Sequence, residues 1–131
     1  MSSIRILSLT GAEAAQRVPE LARLRIAVFR EFPYLYDGSL DYEERYLRTY
    51  LESRDAVIVA ALDGDAIVGA ATALPLEDET GEVIAPFAAQ GWDVPAIFYF
   101  GESVLLRPYR GQGIGVAFFD RREAHARALG R

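Results

Sequence analysis

A chain of 131 residues has room for one domain with a real hydrophobic core, two or three helices on a sheet. It has no cysteine and a single histidine, His125, which excludes disulfides, thiolate zinc sites, a cysteine nucleophile and a histidine metal cluster. A net charge of −5, with arginine as the only cationic residue type, argues against a general nucleic-acid binder, and the apolar runs fall short of the roughly 18 residues of a membrane span. With no charged-then-apolar N-terminal pattern either, the expectation is a soluble cytoplasmic protein with no nucleic-acid or membrane partner.

In chain order, residues 4–9 alternate as a first strand, and Thr10 with Glu13 has the capping-box spacing that opens a helix. Pro19 suits a restart of the helix. Leu21, Leu24 and Val28, flanked by Ala22, Ile26 and Phe29, then form an apolar stripe at helical spacing that ends near Phe32 and Pro33. Residues 33–38 read as a loop in which Tyr34 and Tyr36 face a substrate. Residues 41–53 read as a helix in which Tyr42, Tyr46 and Tyr50 share a packed stripe.

Residues 55–62 and 66–74 are apolar, β-branched runs joined by Asp63-Gly64-Asp65, a hairpin signal that pairs them antiparallel. An acidic connection with Glu77, Asp78, Glu79 and Glu82 follows, with a short helix over 84–90 and Trp92 as an anchor. Residues 97–106 form the fourth strand. The last helix covers 115–129, with Val116, Phe119 and Ala126 or Leu129 facing the core and Gly130 as its stop.

Between that strand and that helix stands Arg110-Gly111-Gln112-Gly113-Ile114-Gly115. Glycines allow positive φ and bring successive N–H groups close to an anion, while the helix that follows aims its positive end at the same place. A phosphate-bearing ligand is the reading. The loop is not a Walker A motif, which needs a lysine, and it is not a dinucleotide fingerprint, because Val116 stands where the third glycine belongs and no second βα unit follows.

Arg110, Gly113 and Gly115 fit the Gln/Arg-x-x-Gly-x-Gly/Ala loop of the GNAT family of N-acetyltransferases, and the stretch from Val104 to Tyr109 is similar to the strand end that precedes it. The second half of the chain resembles that family. The resemblance implies an α+β fold over residues 1–131, a mainly antiparallel four-stranded sheet flanked by helices. It is C-terminally incomplete, without the family's fifth strand, which leaves the fourth strand's edge open to a second copy in a homodimer.

It further implies an N-acyltransferase that moves acetyl from acetyl-CoA to a small-molecule or peptide amine, or a module of the same fold that binds coenzyme A without chemistry. Gly111, Gln112, Gly113, Ile114 and Gly115 would meet the pyrophosphate. Arg110 would add charge there or else bond strand-end carbonyls. The backbone of Val104, Leu105 and Leu106 would carry the pantetheine arm and the thioester. Glu102, alone in an apolar run, is the candidate general base, the alternative being an arginine salt bridge or a solvent-facing position. No general acid is assigned, and His125 reads as a surface helix residue.

Overall fold

The runs Val57–Asp63 (β2) and Ala66–Pro75 (β3) are apolar on both faces, and both are almost wholly buried. Residues of that kind belong in the middle of a sheet covered on two sides. The computed structural model, which describes residues 4–30 and 38–130, puts them there. Ile4–Leu9 (β1) pairs with β2, and Phe98–Leu105 (β4) pairs with β3. Among the described residues this makes a four-stranded antiparallel sheet in the order β1-β2-β3-β4, with β4 at an edge. The hairpin turns at Gly64, whose φ of 64° is the left-handed region that glycine tolerates.

Five α-helices cover the described sheet and its connections: Gly11–Ala15 (α1), Val18–Arg30 (α2), Leu40–Glu52 (α3), Gly81–Ala89 (α4) and Ile114–Ala128 (α5). On one face Leu21, Leu24 and Val28 of α2, with Leu47 and Tyr50 of α3, meet Ile58, Ala60, Ala70 and Leu74. On the other face Ile114 and Phe118 of α5 meet Val57, Val59, Val68 and Ala71. The alanines of β2 and β3 let both helical layers approach the sheet closely. Each layer buries an apolar stripe, worth on the order of 1.5–3 kcal/mol per large side chain.

The strands, the hairpin and the α2 stripe lie where the sequence puts them, and several details differ. Thr10 starts α1 without a side-chain cap; Glu13 N–H donates to its carbonyl instead. Helix α3 starts at Leu40, capped by the Ser39 hydroxyl, which accepts from Tyr42 N–H. The Tyr42 side chain is half exposed, so the packed tyrosine stripe consists of Tyr46 and Tyr50. The connecting helix runs over Gly81–Ala89 rather than 84–90, and Trp92 is 58% exposed, so it anchors nothing.

In α5 the buried row is Ile114, Phe118, Arg122 and Ala126, an i, i+4 series. Of the expected core residues, Ala126, one of the two alternatives for the last position, is buried, whereas Val116 and Phe119, with the other alternative Leu129, are exposed. The reason is Arg122: the row facing the sheet contains an arginine, so hydrophobicity alone selects the wrong face. The expected helix end near Phe32 and the loop with Tyr34 and Tyr36 lie outside the described residues. Among the described residues no helix is long and apolar enough to cross a membrane.

Candidate active site

The segment from β4 into α5 carries every candidate residue. After Leu105 the chain makes one 3₁₀ turn, Arg107–Tyr109, opened by Pro108. The Tyr109 hydroxyl donates to the Asp63 carboxylate at 2.7 Å, which ties this turn to the β2–β3 hairpin. Gly111 and Gly113 then take φ of 80° and 81°, and α5 begins at Ile114, whose buried side chain fixes the helix start against the sheet.

Gly113 is the N-cap and provides no side chain to the first-turn N–H groups, which have no partner within the helix either. A Cβ added at Gly111, Gly113 or Gly115 would meet nothing within 4 Å. Gly115 is the most telling of the three. It sits in helical conformation, where glycine costs about 0.5–1 kcal/mol against alanine, and the chain's own packing does not require it. Open space therefore adjoins the first-turn amides, and a helix start of this kind is suited to an anion. An open groove of about 200 Å³ runs beside the loop, lined by Ile4, Ile6, Gln112, Gly113, Ile114 and Ala117.

Arg110 Nε donates to Leu105 O at 2.9 Å, so this side chain bonds the strand end, the second of the two roles read for it. Val104 is buried under α2 and α3, while Leu105 packs with Phe118 on the α5 side. Their side chains serve the core. Because β4 is an edge strand, alternate backbone groups face away from β3.

The pairing of β4 slips opposite Thr72: Ala71 pairs with Ser103 but Ala73 with Phe100, so Gly101 and Glu102 together oppose one residue. This is a β-bulge, a device that re-aims side chains. The Thr72 hydroxyl accepts from Glu102 N–H at 3.1 Å, and Tyr50 hydrogen-bonds the same hydroxyl. From the opposite face Arg122 donates to Ser103 Oγ at 3.1 Å, to Thr72 O at 3.4 Å and to Glu102 O at 3.5 Å, and its guanidinium carbon lies 4.5 Å from the centre of the Phe100 ring. The bulge is therefore clamped from both layers.

Glu102 reaches the α2 side, where its carboxylate pairs with Arg25, and Arg25 also pairs with Glu43 of α3. A cavity of about 10 Å³, enough for a single water, lies here between Arg25, Thr72, Glu102 and apolar residues including Leu21 and Val104. Burial raises the phenol pKa values of Tyr46 and Tyr50, so both stay neutral hydroxyls. Burial also pulls the Arg122 pKa down, without making it other than a cation at neutral pH.

His125 Nε2 hydrogen-bonds Asp55 O at 2.9 Å, a tie between α5 and the approach to β2 rather than a free surface position. The sequence reading did not pick out Arg25, Glu43, Thr72 or Arg122. Glu43 flanked by tyrosines and Arg122 inside an i, i+4 apolar row were the available signals.

A model of the acetyltransferase (GNAT) family matches residues 21–131. Solved structures share the fold at low identity. The aminoglycoside N-acetyltransferase AAC(6')-Iy in complex with CoA superposes with a TM-score of 0.68 at 14% identity, over 99% of this chain and 73% of that one. An acetyltransferase of the GNAT family from Streptococcus pneumoniae gives 0.66 at 16% identity, over 98% and 70%. Ribosomal-protein-alanine N-acetyltransferase from Brucella melitensis biovar Abortus 2308 gives 0.58 at 17%, over 96% and 73%. A search of curated proteins finds no match.

Proposed function

The chain belongs to the GNAT acetyltransferase family, and on that premise we propose that it transfers acetyl from acetyl-CoA to a primary amine by direct attack. The observation that carries this reading is the trio Gly111, Gly113 and Gly115. They leave open space at an uncapped helix start, one 3₁₀ turn beyond an edge strand whose bulge carries the Glu102 carboxylate.

In this reading the amides from Gly111 to Gly115 hold the pyrophosphate, and the outer backbone edge of Val104 and Leu105 orients the acyl-pantetheine arm. The Leu106 N–H donates to Val68 O and its carbonyl accepts from Tyr109 N–H, so Leu106 serves the fold instead. Acetyl-CoA supplies an activated acyl group as the thioester. Glu102 takes the proton that an ammonium must lose before its nitrogen can attack, directly or through one water. The N–C bond forms as the C–S bond breaks; the second proton, shed by the nitrogen after attack, goes to the departing thiolate, which leaves as the thiol. Holding amine and thioester together removes much of the entropic barrier, and an outward-facing N–H of β4 stabilises the developing oxyanion.

The acceptor is a cationic amine. Similar structures come from proteins named for aminoglycoside and ribosomal-protein alanine acetylation, so amino sugars and peptide N-termini are the first two classes to assay. The open edge of β4 would also allow a second copy to pair there, which a concentration series in size-exclusion chromatography reads out.

A thiol-release assay with acetyl-CoA and an amine panel, with product mass as confirmation, tests the proposal. Thiol released in step with acetylated amine is expected. Binding of coenzyme A without release on any amine would instead favour a non-catalytic module.

A further inference from the structure

Arg25 of α2 is enclosed by four groups. Its Nε faces Oε2 of Glu43, its Nη1 faces Oε1 of Glu102, and its guanidinium carbon lies 4.1 Å from the Tyr46 ring centre and 5.2 Å from that of Phe29. Glu43 is completely buried, whereas the Arg25 and Glu102 side chains keep 11% and 20% exposure. This gradient runs from the α3 interior to the β4 bulge.

A buried carboxylate is a costly way to hold two helices together; apolar packing would do it as well. Glu43 makes sense as a fixture for the guanidinium. Its Oε1 has no hydrogen-bond partner among the described residues, and Oε2 is given to Arg25. The guanidinium is a rigid planar fork with donors in set directions. With Nε bonded to Glu43 and the guanidinium carbon near the Tyr46 and Phe29 rings, Nη1 is left facing Glu102 Oε1 in an ion pair, and neither of these two atoms has a hydrogen-bond partner among the described residues. The other oxygen of Glu102 has no ion-pair partner among the described residues. Two carboxylates against one guanidinium also leave a formal charge of −1, which one ammonium would neutralise.

We infer that Arg25, backed by Glu43, is a positioning residue: it anchors one oxygen of Glu102 so that the other is presented to the incoming ammonium. The inference rests on the reading of Glu102 as the base. Its test separates the two, using Glu102→Gln, Arg25→Met, Arg25→Lys, Glu43→Gln and the Arg25→Met/Glu102→Gln double variant of the full chain, each with its melting temperature.

Glu102→Gln should lower kcat about 100-fold, as loss of a general base does. Arg25→Met should lower kcat by about 10- to 100-fold with KM for acetyl-CoA unchanged, in line with the cost of a misplaced catalytic group. Arg25→Lys should recover only part of that loss, and the double variant should be no slower than Glu102→Gln alone. Should Arg25→Met fail to fold, the isosteric Glu43→Gln carries the kinetic arm, with kcat reduced at constant KM for acetyl-CoA.

A readout independent of turnover is the ¹⁵N–¹H spectrum of the arginine side chains. Glu102→Gln should move the Arg25 Nη1 signal and spare Nε, and Glu43→Gln should do the reverse. If Glu102→Gln is slow while Arg25→Met and Glu43→Gln keep wild-type kcat, or if the losses simply add, the positioning role is wrong and the base stands. Unchanged kcat in Glu102→Gln removes both. An Nη1 signal indifferent to Glu102→Gln overturns the inference whatever the kinetics.

Discussion

A Cβ placed on Gly101 would lie 2.2 Å from the Tyr50 hydroxyl oxygen, closer than any packing tolerates. The bulge of β4 is thus shaped around a phenol delivered from α3, with Thr72 Oγ1 at 2.6 Å as the second obstacle. Gly101→Ala should lower stability by about 1–3 kcal/mol through overpacking and should displace Glu102. Tyr50→Phe removes the nearest atom, so the double variant should be more stable than the sum of its parts predicts. Denaturant titration of the four proteins measures this coupling.

The glycine loop separates ligand binding from folding. Gly113 needs positive φ, so Gly113→Ala should cost about 1–2 kcal/mol in stability. Gly115 has helical φ and open surroundings, so Gly115→Leu should fold as well as the parent or slightly better. It should nevertheless weaken acetyl-CoA binding by about 10-fold or more, because its side chain fills the space over the first-turn amides. Thermal melts paired with binding titrations read both quantities.

Alkaline stability follows from the buried phenols. Tyr46 and Tyr50 have folded-state pKa values raised above the ordinary tyrosine range by desolvation. The unfolded chain, whose tyrosines ionise near pH 10, therefore sheds protons first as pH rises. This contribution is complete below that value and is lost above it. The melting temperature should hold from neutral pH to about pH 9 and fall beyond about pH 10, and Tyr50→Phe should flatten the fall.

Arg122 joins α5 to the bulge by donating to Ser103, Thr72 and Glu102. Arg122→Met should leave those acceptors unsatisfied, at about 1–3 kcal/mol. Faster hydrogen exchange at the amides of β4 than at those of β2, in the variant relative to the parent, is the expected signature.

The parts of this fold that the sequence announces are those with local causes. The β2–β3 hairpin follows from two apolar runs around Gly64, and the loop before α5 follows from three glycines that no turn requires together. The parts it conceals depend on residues distant in the chain. Arg122 looks like a surface position until carbonyls from β3 and β4 and the Phe100 ring are brought around it, and the α5 core face was misread for that reason. Glu102 stood out as a charge in an apolar strand, but its partner sits on α2 and that partner's own anchor on α3. Thr72 reads as strand filler, and only the register slip shows that its hydroxyl supports the Glu102 amide.

Isothermal titration of the folded chain with acetyl-CoA, run beside Gly115→Leu, addresses the pyrophosphate cradle on which the rest depends. Amides free at the start of α5 predict saturable one-to-one heat with the parent, matched by desulfo-CoA and reduced at least about 10-fold in affinity by the leucine. No heat at about 1 mM acetyl-CoA, or equal affinity in the two proteins, would contradict it.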